Sequence, residues 1–205
     1  IFVEETVLST RESVDDALLE QRLLARLTAL GLVVRHVHGR ERCTIPMDLP
    51  LPDTAGAVLA TGAAGALVHP SSGYMLPRAL GAAASVVEAL TDAWDQGPAV
   101  ALAAARRALW PQRTRQLHAL QTFGLEVLLD LDQAGSQAFF GALGGLDAAD
   151  WQVLMGSDPD RQRLTAAMGR LFLTAPGSVR GALLRPCLRP AGRRQLLRAF
   201  TPGRS

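Results

Sequence analysis

The spacing of apolar and polar positions changes partway along the chain. Phe2-Val3-Glu4-Glu5-Thr6-Val7-Leu8-Ser9 is rich in β-branched residues and reads as a strand. Leu19, Leu23, Leu27 and Leu30 then form one seam at helical spacing. That seam predicts a helix from about Val14 to Leu30, capped by Ser13 and ended by Gly31. Two more strands are expected, Leu32 to His38 and Arg42 to Met47, with a turn at Gly39-Arg40. The apolar run Ala57 to Ala60 fits a short buried strand. It leads through Gly62 and Gly65 into a turn at Pro70-Ser71-Ser72-Gly73, then a helix from about Tyr74 to Thr91. After the turn Asp95-Gln96-Gly97-Pro98 every segment has helical spacing: Ala99 to Leu109, Arg113 to Leu131, Gly135 to Leu143, Ala148 to Met155, Arg161 to Leu173, Val179 to Leu184 and Gly192 to Phe200. The pattern predicts an α/β (α+β) chain, with sheet strands and a strand–loop–helix unit over 1–95 and a mostly helical region over 96–205.

A strand, a glycine-bearing loop and a helix N-terminus in that order aim backbone N–H groups at one point. An acceptor-bearing or negative ligand is favoured there, although an ordinary connection has the same order. Adjacent Glu4 and Glu5 on a strand face opposite sides, so one can enter a pocket while the other is solvated. The bland alternative is an edge strand with both carboxylates exposed. Gly124 lies inside an apolar helix, where it costs about 1 kcal/mol against Ala. It leaves room either for a long ligand or for a helix–helix contact. Glu126 beside it has an apolar surround, and burial there requires a partner or a raised pKa. His36 and His38 share a strand face but lack a third ligand, so no metal site is expected.

With 205 residues, 48% of them hydrophobic, the chain can build one substantial core. A net charge of +2 argues against nucleic-acid binding. The charges are uneven, since no acid follows Asp160. Arg185, Arg189 and Arg193 alternate with Leu183, Leu184, Leu188, Leu196 and Leu197, which suits an anionic membrane surface or a solvated basic end. Cys43 and Cys187 stand far apart without metal-ligand spacing, which points to a reducing, intracellular setting. No apolar run is long enough to span a bilayer.

Several stretches carry a resemblance to one family. Val68-His69-Pro70-Ser71-Ser72-Gly73-Tyr74 resembles the second flavin-contact motif of flavoproteins built like p-hydroxybenzoate hydroxylase. Its wording is most similar to the flavin-dependent lycopene cyclases, with their His-Pro-x-Thr/Ser-Gly-Tyr. Phe2-Val3-Glu4-Glu5-Thr6 resembles that family's Phe-Leu-Glu-Glu-Thr. Ile45-Pro46-Met47-Asp48-Leu49-Pro50 is similar to its Ile-Pro-Met-Gly-Gly-x-Leu-Pro, with Asp48 and Leu49 in place of the two Gly. Leu109-Trp110-Pro111 also matches in order. Phe123-Gly124-Leu125-Glu126-Val127-Leu128-Leu129 corresponds to Phe-Gly-Met-Asp-Ile-Leu-Leu, and Phe139-Phe140 and Trp151 follow at similar spacing.

The resemblance implies an FAD-binding Rossmann-like fold followed by a helical region. It implies acid/base cyclisation of lycopene or a related acyclic carotenoid, with reduced FAD as cofactor and NADPH as reductant. Glu4 and Glu5 would be catalytic. Gly62, Gly65, His69, Pro70, Ser72, Gly73 and Tyr74 would contact the cofactor, and Gly124, Glu126, Phe139, Phe140 and Trp151 would line the substrate site. Such an enzyme is expected on the cytoplasmic face of a membrane as a peripheral protein. The GxGxxG dinucleotide fingerprint that such a flavoprotein needs follows no strand here. The chain is therefore expected to be the C-terminal half of a longer enzyme, or a truncated relic of one, and to bind FAD only weakly by itself. Two rival readings are another flavin-dependent isoprenoid enzyme and a non-catalytic helical module.

Overall fold

The computed structural model describes residues 1–52, 56–156 and 159–201. These fall into two compact units, residues 1–44 and, from residue 45 on, the remainder. Nine α-helices are found among the described residues, with no strand, so the expected α/β architecture is corrected to an all-helical one.

The first unit is built on α1, Asp16–Ala29. Asp15, rather than the expected Ser13, is its N-cap and accepts from the N–H of Ala17 at 2.9 Å. Gly31, at φ 70°, ends the helix as expected. The stretches on either side, 2–9 and 32–44, carry strand-forming side chains but run as irregular backbone. Strand propensity is realised only against a neighbouring strand, and among the described residues none lies alongside. Ion pairs tie them to α1 instead: Arg26 with Glu5 at 2.8 Å, Arg40 with Glu20 at 2.8 Å and Arg42 with Asp16 at 3.0 Å.

The second unit holds α2 (Leu76–Asp92), α3 (Pro98–Leu109), α4 (Gln112–Leu129), α5 (Gln133–Gly144), α6 (Ala148–Met155), α7 (Arg161–Thr174), α8 (Gly177–Leu188) and α9 (Pro190–Phe200). The helices expected beyond residue 74 all form, with ends shifted by a few residues. Pro186 lies inside α8 rather than breaking it, whereas Pro190 starts α9. Here α2 packs along α3. Their apolar faces meet the loop before α2 in a cluster of Ala66, Leu67, Val86, Ala105, Leu109 and Trp110. Leu49, which stands where the related motif has Gly, packs against this cluster together with Leu51. The expected strand Ala57 to Ala60 is absent because Arg106 of α3 takes nearby carbonyls: it donates to Gly56 O and, at 3.0 Å, to Val58 O.

A second cluster, Leu117, Ala119, Leu120, Leu164 and Ala199, centres on α4, with α7 and α9 packed on it. Helix α4 is the most buried helix of the unit, with an unbroken buried run from Leu117 to Phe123 that includes His118, Gln121 and Thr122. The crossing of α8 and α9 is tight: a Cβ on Gly192 would lie 2.2 Å from the Pro186 carbonyl oxygen.

Candidate functional site

The loop from Gly62 to Tyr74 is wound by its own hydrogen bonds. Gly65 N donates to Thr61 O at 3.0 Å, and Leu67 N donates to Gly62 O at 3.0 Å. Gly62 and Gly73 lie at φ 58° and 74°, where glycine is favoured. A Cβ on Gly65 would come within 2.7 Å of Ala60 O and 2.9 Å of Thr61 Cα. Gly65 thus lets the loop close on itself. Gly73 faces open space.

At the end of this loop sits His69, only 4% exposed. Its backbone N–H donates to Tyr74 O at 2.7 Å, and its carbonyl accepts from Gly73 N at 2.9 Å and Ser72 N at 3.3 Å. Its Nδ1 accepts from the Ser71 N–H at 3.3 Å. The Ser71 hydroxyl crosses to α4 and donates to Gln121 O at 2.8 Å. Gly124 makes this crossing possible, since a Cβ there would lie 2.9 Å from Ser71 Oγ. The space at Gly124 therefore admits the Ser71 side chain.

Two buried polar side chains, Arg78 and His118, meet Trp110. The guanidinium of Arg78, from the first turn of α2, lies 4.7 Å from the Trp110 ring centroid. His118 of α4 meets the same indole edge-on at 5.1 Å. The indole N–H donates to Gly65 O at 2.9 Å. Burial, reinforced by the Arg78 charge, lowers His69 to about 4, against a weaker opposing pull from its own carbonyl. Burial first, then Arg78 and His69, lower His118 to about 3. At neutral pH the cluster thus holds two neutral imidazoles beside one fixed cation. A cleft of about 190 Å3 opens beside it, lined by His69, Tyr74, Pro77, Arg78 and Met155.

This arrangement suits an electron-rich, acceptor-bearing ring. Arg78 supplies positive charge, and the N-terminus of α2, which has no side-chain cap, adds to it. The ring nitrogen His69 Nε2 is buried without a hydrogen-bond partner. An open Cα at Gly73 and the exposed ring of Tyr74 flank the mouth. A flavin edge fits this chemistry.

The structure brings Gly62, Gly65, His69, Pro70, Ser72, Gly73 and Tyr74 into one wound loop and sets Gly124 against it through Ser71. Glu126 is half-buried on α4. Phe139 and Phe140 pair edge-to-face at 5.4 Å on α5, and Trp151 is 44% exposed on α6. Glu4 is solvent-exposed, whereas the side chain of Glu5 is buried against Arg26. Sequence reasoning passed over Ser71, Arg78, Trp110, His118 and Gln121 as site residues. The available signal was polarity inside apolar runs: Arg78 between Met75-Leu76-Pro77 and Ala79-Leu80, and His118 between Leu117 and Ala119-Leu120.

A family model described as lycopene cyclase protein matches residues 1–180. The chain is 34% identical over 187 residues to the lycopene beta cyclase of Synechococcus elongatus, covering 89% of this chain and 46% of that protein. It is 38% identical over 187 residues to an uncharacterized carotenoid cyclase of Deinococcus radiodurans, covering 91% of this chain and 45% of that one. Against the chloroplastic lycopene beta cyclase of an Oncidium hybrid, identity is 37% over 157 residues, covering 77% of this chain and 33% of the relative. The chain thus spans between a third and a half of the length of these relatives. No solved structure matches. On the family match and these identities, the chain belongs to the lycopene cyclase family.

Proposed function

We propose that the chain forms the flavin-facing and substrate-facing part of an enzyme that closes the acyclic ends of lycopene, or a related carotenoid, into rings. The observation that carries this reading is the buried Arg78 beside two imidazoles held neutral, at the mouth of the His69–Tyr74 loop. Ring closure is non-redox. A carboxyl gives a proton to the terminal double bond, an internal double bond attacks the resulting cation, and loss of a proton sets the ring. Glu4 is the acid/base in this reading. Glu5, held by Arg26, is its positioning partner.

Reduced FAD, kept reduced by NADPH, supplies the negative charge that favours a nearby cation. The residues that would hold its ring are His69, Gly73, Tyr74 and Arg78. Arg78 opposes the electron-rich edge, and Gly73 lets the backbone approach the ring face. Phe139, Phe140 and Trp151 offer aromatic surface to a polyene or its cation.

The enzyme would work at a membrane surface, on its cytoplasmic side, where such a substrate dissolves. No helix among the described residues is long and apolar enough to cross a membrane. Helices α8 and α9 expose Leu184, Leu188, Leu197 and Phe200 among Arg185, Arg189, Arg193, Arg194 and Arg198. That mixture suits lying on anionic lipid.

The test is substitution in the complete gene product that contains these residues, expressed in a host that accumulates lycopene. Glu4→Gln is expected to abolish ring formation while flavin stays bound. Gly73→Val is expected to lose flavin and activity together. Normal cyclised product from Glu4→Gln rules out the assignment of that carboxyl.

A further inference from the structure

Helix α2 has three sides of different character. One packs on α3 and on the loop before α2 through Ala79, Ala82 and Val86. A second is polar and exposed, with Gly81, Ser85, Glu88 and Asp92. The third is apolar, formed by Leu76, Leu80, Ala83 and Val87. These four recur at the i, i+4, i+7, i+11 spacing of one continuous helical stripe. Leu76, Leu80 and Val87 are nevertheless 65%, 66% and 63% exposed. Trp94, in the 3-10 turn Trp94–Gln96 that follows α2, is 60% exposed as well. A surface helix carries its apolar face toward the core and polar residues elsewhere. A second, contiguous apolar stripe marks a contact made in the assembled protein.

Two observations select what covers it. The stripe carries no Lys or Arg, and Glu88, Asp92 and Asp95 are exposed along its edge and at its end. That charge disfavours an anionic lipid surface, in contrast to α8 and α9. The matched stretch is also only 46% of the Synechococcus elongatus relative and 45% of the Deinococcus radiodurans relative, so more than half of each lies outside it. We propose that the stripe Leu76, Leu80, Ala83 and Val87 is the seat of an apolar surface carried in cis by polypeptide outside residues 1–205. Leu76, Leu80 and Val87 form the ridge. Ala83 is the low point between Leu80 and Val87, where a large side chain of that polypeptide settles. The role of the stripe depends neither on the cyclisation chemistry nor on the flavin.

Cysteine accessibility in the complete gene product tests this. Its native cysteines, Cys43 and Cys187 among them, are replaced by Ser. Leu80→Cys, Val87→Cys and, on the polar side, Ser85→Cys are then introduced singly. Reaction with a water-soluble maleimide is followed in native and urea-unfolded protein, without lipid or detergent, and mass is read by light scattering. Ser85→Cys is expected to react within about threefold of its unfolded rate. Leu80→Cys and Val87→Cys are expected to react at least about tenfold more slowly than Ser85→Cys, and to keep that protection on dilution to monomer. Equal rates at all three positions overturn the proposal. Protection that is lost when a dimer dissociates assigns the stripe to a second copy and overturns it too. So does protection that appears only with added phosphatidylcholine vesicles.

Discussion

The indole N–H of Trp110 donates to the carbonyl of Gly65 at 2.9 Å, joining the end of α3 to the glycine loop across 45 residues of chain. The same indole carries Arg78 on its face and His118 at its edge. Trp110 is thus the post on which the loop, the buried cation and one neutral imidazole are all hung. Trp110→Phe keeps an aromatic ring but removes the donor, leaving a buried carbonyl unpaired. The expected loss is about 1–3 kcal/mol of stability, read from the urea midpoint. An unchanged midpoint would mean that the Gly65 contact carries no stability.

The glycines separate into opposing cases. Gly65→Ala places a Cβ 2.7 Å from Ala60 O, against backbone that cannot step aside. It is expected to destabilise by about 1–3 kcal/mol. Gly81→Ala, on an exposed position of α2 with nothing within 4 Å, is expected to stabilise by up to about 1 kcal/mol. Thermal unfolding of the two variants side by side checks the pair, and shifts of the same sign contradict the packing described for the loop.

The buried imidazoles set an acid-side dependence. Burial lowers folded His69 to about 4 and His118 to about 3, against 6.5 for a free imidazole. Between those values the unfolded chain binds more protons than the folded one. Their contribution to stability is therefore complete above about pH 6.5 and falls as pH drops through the window. Urea unfolding at pH 7.5 and pH 5 is expected to show a fall in stability that shrinks in the His69→Gln, His118→Gln double variant. A fall of the same size in both proteins contradicts burial of the two rings.

The helices were legible before the structure, because apolar spacing and punctuation agree along most of the chain. Gly31 stops α1, Pro98 and Pro190 start α3 and α9, and Asp147 and Asp160 cap α6 and α7. The strands were misread. Residues 2–9 and 32–47 have strand-forming side chains, but a strand also needs a neighbour to pair with, and local pattern does not report one. At Val58 the ladder partner is replaced by a guanidinium from α3, 48 residues away. The motif wording pointed to the His69 loop. It did not point to Arg78, Trp110 or His118, because cation–π and edge-on contacts join residues that share no spacing rule. At Gly124 the side chain of Ser71 stands where a Cβ would lie, a contact 53 residues apart in sequence that no local pattern reports.

The basic face of α8 and α9 lies largely beyond residue 180, where the family match ends. If this face rests on lipid, Arg193→Glu, Arg194→Glu and Arg198→Glu together remove three favourable charges. Each contributes about 1 kcal/mol at an anionic surface, so partition onto anionic vesicles is expected to fall about 100-fold or more. Flotation assays with anionic and with neutral vesicles measure it. Equal flotation of the triple variant and wild type on anionic vesicles contradicts the surface role.

The most direct measurement of the central claim is the carotenoid profile of a lycopene-accumulating host that expresses the complete gene product. Wild type is expected to convert lycopene into a product with closed end rings, and Glu4→Gln to leave lycopene untouched while the protein remains folded and flavin-bound. Unchanged lycopene with a folded, flavin-bound wild type would contradict the account.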